Sequence, residues 1–454
     1  MTIAPGVKHM TSLPLSDFID HRTAFFNDMP LNSITFFSAN SEVTRSNDTE
    51  YAFCQNKNFY YLTGFNEPDA LLVLIKDEEG KTTTFLFSLP KDALHEVWHG
   101  RRVGQQQAVA NYGFDYSYVI DEIDNIVPKL LQGKDQALFS FEDDAMVKQV
   151  FYWLGKVKAT LRQGGKVPSQ LVNASPIISE LRLIKSPSEI ALMRQANYIS
   201  GLAHQRAMKT CQVGQFEYQI EAEIIHEFSC AGARHTAYAS IVAGGDNANI
   251  LHYTENSDRL KDNELLLIDA GGELGGYAAD ITRTFPVNGQ FSVEQKALYQ
   301  LVLDAKNLAI NAIKPNVSFA ELNVLVNIYL TKGLLALGIF TGELERLVAD
   351  KAVKEYFIHG LGHWLGLDVH DVGDYHINDK REQARPFAVG MVMTIEPGLY
   401  IPLTDFSVDK KWRGIGIRIE DNVVVTEQGF ENLTANSPDE ICDIEALMAN
   451  NDPV

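Results

Sequence analysis

Residues 265–285, reading LLLIDAGGELGGYAADITRTF, constrain this chain more than any other stretch. Four apolar residues run into Asp269, a break rich in glycine follows, and a polar-alternating run reaches Asp280. Apolar and β-branched runs on either side of a tight glycine break read as a β-hairpin. A two-residue loop at Leu274-Gly275 would set Glu273 opposite Gly276, Gly272 opposite Tyr277, and Asp269 directly opposite Asp280. Directly opposed residues have Cβ atoms about 4.5–5.5 Å apart, and like charges there are destabilising. Such a pair either stands in solvent at a hairpin end or needs a shared proton or a cation between its members.

The rest of the chain supplies the frame. Its 454 residues suggest two or three domains. After a ragged leader over residues 1–15, strands are expected at 34–37, 59–62, 70–75 and 82–87, and helices at 120–131 and 145–161. Alternating strands and helices predict an α/β first domain over 1–183. Ser186-Pro187-Ser188-Glu189 combines an N-cap, a first-turn proline and a capping glutamate, so it opens a helix to about 209. Helices at 217–228, from Ser292 to 313 and at 319–337, then strands at 391–395 and 415–425, predict an α+β domain over 184–454 with an antiparallel sheet.

Composition narrows the function. A net charge of −20 disfavours a nucleic-acid or membrane-surface role. The four cysteines are scattered with no CxxC pair, which fits a reducing, cytoplasmic setting rather than a disulfide framework. No secretory signal or membrane-spanning run is expected.

The chemistry-bearing residues gather in the second half: Asp269, Asp280, Glu396, Glu420, and the histidines of His359-Gly360-Leu361-Gly362-His363 and Asp368-Val369-His370-Asp371. Leu267-Ile268-Asp269-Ala270-Gly271 is echoed by Thr394-Ile395-Glu396-Pro397-Gly398, and each is followed by a second acid, Asp280 or Glu420. The echo points to duplicated halves. Four carboxylates taken out of water together would cost many kcal/mol without counter-charge. Two divalent cations balance them, and one imidazole adds a neutral ligand. Oxygen-rich ligation with a single histidine suits manganese, or another hard-to-borderline ion, better than a thiolate zinc site. Two such metals about 3.5–4 Å apart can activate water and polarise a carbonyl, which is the machinery of hydrolysis.

Ile268-Asp269-Ala270-Gly271, Asp280-Ile281-Thr282-Arg283-Thr284-Phe285, His359-Gly360-Leu361-Gly362-His363-Trp364, Val369-His370-Asp371, Glu396-Pro397-Gly398-Leu399-Tyr400 and Gly416-Ile417-Arg418-Ile419-Glu420-Asp421 resemble the motifs of bacterial Xaa-Pro aminopeptidases (aminopeptidase P) in the pita-bread metallopeptidase superfamily. The resemblance extends through the first domain, over Tyr61-Leu62-Thr63-Gly64-Phe65-Asn66-Glu67-Pro68 and Trp98. It implies a pita-bread catalytic domain with pseudo-two-fold halves. It also implies release of the N-terminal residue from peptides with proline second, by a hydroxide bridging two metals. Asp269 would bind one metal through two oxygens, Asp280 and Glu420 would bridge, and His363 and Glu396 would bind the other. Glu396 would also accept a proton. His252, His359 and His370 would hold substrate, stabilise the tetrahedral intermediate and pass a proton to the proline nitrogen. Arg418 would neutralise and orient the site. Tyr400 would hold the proline ring, and Trp98 would close the site, in the same or a neighbouring subunit of a homodimer or homotetramer. The nearest alternative is a prolidase, which takes only Xaa-Pro dipeptides. A peptide-binding relative without catalysis is the alternative of another class.

Overall fold

The computed structural model describes residues 10–449 apart from 161, 163 and 378–381. The first nine residues of the expected leader lie outside them. Two compact units emerge, one over Leu13–Arg182 and one taking in the chain from Leu183.

The first unit runs α1 (Leu15–Asp28), β1 (Ser33–Ser38), β2 (Thr44–Ser46), β3 (Thr49–Glu50), α2 (Lys57–Thr63), β4 (Leu71–Lys76) and β5 (Thr82–Ser88). It continues through α3 (Ala93–His99), α4 (Gly104–Tyr112), β6 (Tyr116–Val119), α5 (Ile123–Leu131), β7 (Gln136–Phe139), α6 (Asp144–Lys158), β8 (Gln170–Asn173) and α7 (Ser175–Leu183). Six strands form one mixed sheet in the order β6-β5-β4-β1-β7-β8. Phe36, Val73, Phe87 and Phe139 bury one sheet face against Val150 and Trp153 of α6. Residues 59–62, expected as a strand, are helical within α2. The local reason is capping: Asn56 Oδ1 accepts from the amides of Asn58 and Phe59, both at 3.0 Å, and Gly64 ends the helix at φ 63°. Two satisfied helix ends outweigh the β preference of Phe59-Tyr60-Tyr61-Leu62.

The second unit begins with α8 (Pro187–Thr210) and α9 (Glu217–Cys230), then β9 (His235–Thr236), β10 (Ile241–Gly244), β11 (Leu265–Asp269), β12 (Gly272–Leu274), β13 (Tyr277–Ala278) and β14 (Thr282–Pro286). Helices α10 (Val293–Ala312), α11 (Phe319–Ala336) and α12 (Leu344–Ala349) follow. The chain then forms β15 (Val392–Ile395), β16 (Gly398–Ile401), β17 (Ile415–Arg418), β18 (Asp421–Thr426), β19 (Gly429–Asn432) and α13 (Ile441–Ala449). Reciprocal capping boxes start α8 at Ser186 and Glu189, and α10 at Ser292 and Gln295. This is the pita-bread fold, with antiparallel pairing throughout. Among the described residues no helix is long and apolar enough to cross a membrane.

The opening hairpin forms, but two residues out of the expected register. Its loop is Gly275-Gly276, with φ values of 57° and 87°. Type I′ turns need positive φ at both central residues, and two glycines supply it at no steric cost. Leu274 therefore pairs with Tyr277, and Asp269 pairs with Thr282 rather than Asp280. A two-residue slip preserves the side-chain face, so the aspartates become diagonal neighbours on one face. Asp280 falls opposite Gly271, where a Cβ would lie 1.7 Å from the Ala279 carbonyl oxygen.

The second ribbon, β15–β16 against β17–β18, shows the directly opposed arrangement. The expected strand 415–425 is two strands that break at Ile419-Glu420. Counting inward from Ile395 opposite Asp421 and Gly398 opposite Arg418 sets Glu396 opposite Glu420. The ribbons meet where the Glu420 amide donates to the Thr282 carbonyl at 3.0 Å.

Candidate metal centre

A cavity of about 580 Å³ in the second unit is lined by Asp269, Asp280, Glu396 and Glu420, by His252, His359, His363 and His370, and by Arg418 and Tyr238. Each acid sits where a strand stops: Asp269 at the end of β11, Asp280 just before β14, Glu396 just after β15, Glu420 just before β18. Strand ends free the carboxylates from ladder packing while the ribbons hold their backbones.

Ligating atoms of Asp280, His363 and Glu420 all lie within 4.8 Å of one another. His363 Nε2 is 3.3 Å from Asp280 Oδ2 and 3.7 Å from Glu396 Oε1. Its Nδ1 is 2.9 Å from the Trp364 carbonyl oxygen, so Nδ1 carries the proton and Nε2 faces the acids. This is the tautomer a metal-binding imidazole needs. Tyr238 Oη lies 2.5 Å from Asp269 Oδ1 and 2.6 Å from Asp280 Oδ1, so its hydroxyl bridges the pair. Arg418 Nη2 donates to Asp269 Oδ2 at 2.7 Å, Nη1 to Tyr400 Oη at 2.9 Å, and Nε to Thr282 Oγ1 at 3.0 Å. Thr282 Oγ1 in turn donates to Glu420 Oε2 at 2.7 Å. His359 Nε2 is 2.7 Å from Tyr400 Oη. The His363 and His370 rings meet edge to face, 4.3 Å between centroids.

Electrostatics test whether this donor set suits cations. Burial pushes the Glu396 carboxyl up to about 7 and the Glu420 carboxyl well above its usual range. Burial also raises Asp269, against the opposing pull of Arg418. Burial pushes Asp280 up as well, but the hydrogen bond and charge of His363, the Tyr238 hydroxyl and Arg418 together outweigh it and hold the carboxyl low. Burial lowers His363, yet Asp280 and Glu396 overcome it and lift the imidazole to about 9. Four acids share one guanidinium, and protons balance the remainder. Divalent cations would fill that role, with oxygen-rich ligands and one imidazole, so the residues present fit metal.

All the second-unit residues named from the sequence line this cavity except Tyr400, which is buried behind it and joins His359 to Arg418. Trp98 is not among the lining residues. It lies on α3 of the first unit, 84% exposed, beside Leu94 and Val97. Tyr238 went unrecognised. It stands alone in Arg234-His235-Thr236-Ala237-Tyr238-Ala239-Ser240, with no periodic or motif signal, and only the fold brings it to the aspartates.

The model of metallopeptidase family M24 matches residues 191–427, and that of the aminopeptidase P N-terminal domain matches 18–139. The Xaa-Pro aminopeptidase of Escherichia coli (strain K12) is 44% identical, over 97% of this chain and 99% of that protein. The structure of Pseudomonas aeruginosa aminopeptidase PepP superposes with a TM-score of 0.95 at 42% identity, covering 97% of this chain and 99% of that one. Zn-substituted E. coli aminopeptidase P in complex with product gives 0.94 at 43% identity, covering 98% and 100%. With both halves matched and the acid cavity in place, this chain belongs to metallopeptidase family M24, among its aminopeptidase P members.

Proposed function

We infer that this chain is an Xaa-Pro aminopeptidase, a metal-dependent hydrolase that releases the residue preceding proline. The observation that carries the reading is the cavity in which Asp280, His363 and Glu420 converge while half-buried Asp269 and Glu396 stand beside them. In this reading Asp269, Asp280, His363, Glu396 and Glu420 hold two divalent ions, with manganese the best match to so oxygen-rich a set. When bound, the ions supply Lewis acidity and lower the pKa of water.

The chain's own residues do the rest. Glu396, 3.7 Å from both His359 and His363, takes the proton from the attacking water. Arg418 and Tyr238 fix Asp269 from opposite oxygens. His359, held by Tyr400, and His252, on the cavity wall, bind the peptide carbonyl as negative charge develops on it. Burial, followed by the His363 charge, keeps the His370 imidazole below its ordinary value. It stands in contact with His363, and in this reading it hands a proton to the departing proline nitrogen. Proline lacks an N–H and has a rigid ring, so the leaving proline is placed by pocket shape rather than by a strand-type hydrogen bond.

The reading includes a homodimer or homotetramer in which the first unit supplies Trp98, supported by the exposed Leu94, Val97 and Trp98 on α3. It also includes a cytoplasmic location, supported by free Cys54, Cys211, Cys230 and Cys442. Rates on an Xaa-Pro-Xaa tripeptide and an Xaa-Pro dipeptide, with manganese added or chelated, test the activity. Manganese-dependent cleavage of the tripeptide is expected, and cleavage of the dipeptide alone would point to a prolidase instead. Glu420→Gln should abolish turnover while leaving the far-ultraviolet circular dichroism unchanged.

A further inference from the structure

His252 reaches the cavity from a segment with little regular structure. Between β10 and β11 the chain makes one short 3-10 turn, Gly245–Asn249, and then crosses the site with Leu251, His252 and Thr254 on the cavity wall. Backbone ladders do not hold this wall, so side chains must. Glu217, fully buried at the start of α9, stands directly behind it. Its Oε1 accepts from the Gly244 amide at 2.7 Å and from Asn247 Nδ2 at 3.0 Å. Its Oε2 accepts from Tyr253 Oη and from the Asp258 amide, both at 2.8 Å. These four donors come from both ends of the segment, from its turn, and from the residue next to His252. The Tyr253 ring packs with Ile241, Leu267 and Tyr400 in one buried cluster. Tyr253 is therefore fixed at the ring by packing and at the hydroxyl by Glu217, and it cannot turn without moving its neighbour.

We propose that Glu217 is a positioning residue for the reaction: through Tyr253 and the segment it ties down, it sets where His252 meets the substrate. The inference rests on the reading of His252 as a substrate-contacting group. Glu217→Gln is the informative change, because it keeps the size but turns one acceptor oxygen into an NH2 that faces buried donors.

The test is a double-mutant cycle on the full chain with manganese and an Xaa-Pro tripeptide. The variants are Glu217→Gln, His252→Ala and both together, each also followed by amide hydrogen exchange over residues 244–258. Glu217→Gln should lower kcat/KM by roughly tenfold or more, as a misplaced group does, and by less than about twofold once His252 is alanine. Exchange over 244–258 should quicken. Equal factors in both backgrounds, or unaltered exchange, would overturn the inference alone. A His252→Ala chain with unaltered kinetics would overturn both the inference and the reading beneath it. If Glu217→Gln does not fold, Tyr253→Phe, which removes one hydroxyl and keeps the ring, runs the same cycle under the same criteria.

Discussion

One hydroxyl at Tyr238 touches two carboxylates that repel each other, at 2.5 and 2.6 Å. Burial first, and then those carboxylates, hold its pKa well above the ordinary phenol value, so it stays a donor. Partners of this kind orient metal ligands, and losing one costs about 10–100-fold in metal affinity or activity. Tyr238→Phe should therefore weaken manganese binding by that factor in a calorimetric titration while leaving the fold intact. His204 makes a second residue-scale prediction. Its Nε2 is 3.0 Å from the Ala270 carbonyl oxygen, its Nδ1 is buried with no hydrogen-bond partner among the described residues, and burial lowers its pKa to about 4. The unfolded chain, with a histidine pKa near 6.5, takes up this proton first as pH falls. His204 thus contributes stability above about pH 6.5 that is lost as pH drops toward 4, to a limit of about 3 kcal/mol. Urea unfolding from pH 7 to 4 should show that decline, and His204→Gln should show less of it.

At the scale of elements, β18 is held by a buried charge cluster. Asp421 accepts from Arg283 Nη2 at 2.7 Å, Lys306 Nζ at 2.5 Å and Thr434 Oγ1 at 2.8 Å, and Lys306 also bonds Asp439. Arg283 Nη1 reaches on to the Glu420 carbonyl at 2.6 Å, so the cluster sets the backbone from which Glu420 projects. Asp421→Ala would strip buried Arg283 of its carboxylate and leave Lys306 with Asp439 alone; breaking such a buried pair typically costs about 3–5 kcal/mol, and the urea midpoint should fall accordingly. What could be read ahead from residues was whatever has a local cause. Ser186 and Ser292 announce their helices because a capping box is complete within four residues. The helix at 57–63 was missed because a strand-like aromatic run masked a lone Asn56 cap. The hairpin register was missed because Leu274-Gly275 and Gly275-Gly276 are both admissible loops, and only the φ values separate them. The acids and histidines of the cavity stood out as motif residues. Tyr238 and Glu217 did not, because their importance lies in partners distant along the chain.

For the whole molecule, the cavity is a store of unfavourable charge that cations would relieve. A ligand that binds only the folded state stabilises it by RT ln(1 + [L]/Kd), about 2.7 kcal/mol at a hundredfold excess over Kd. Manganese added to chelator-treated protein should raise the thermal midpoint of the second unit, with the midpoint climbing steadily as the concentration rises. Glu420→Gln should flatten that climb.

The contact between the two ribbons also has a bearing on synthesis. Thr282 and Glu420, joined at the site, are 138 positions apart in the chain. Ribosomes add about 5–20 residues per second, so Glu420 joins the chain roughly 7–28 s after Asp280. During that wait the first ribbon carries two acids it cannot bury on its own. A nascent chain therefore offers metal only half a site, and the centre can close only after Glu420 has been added.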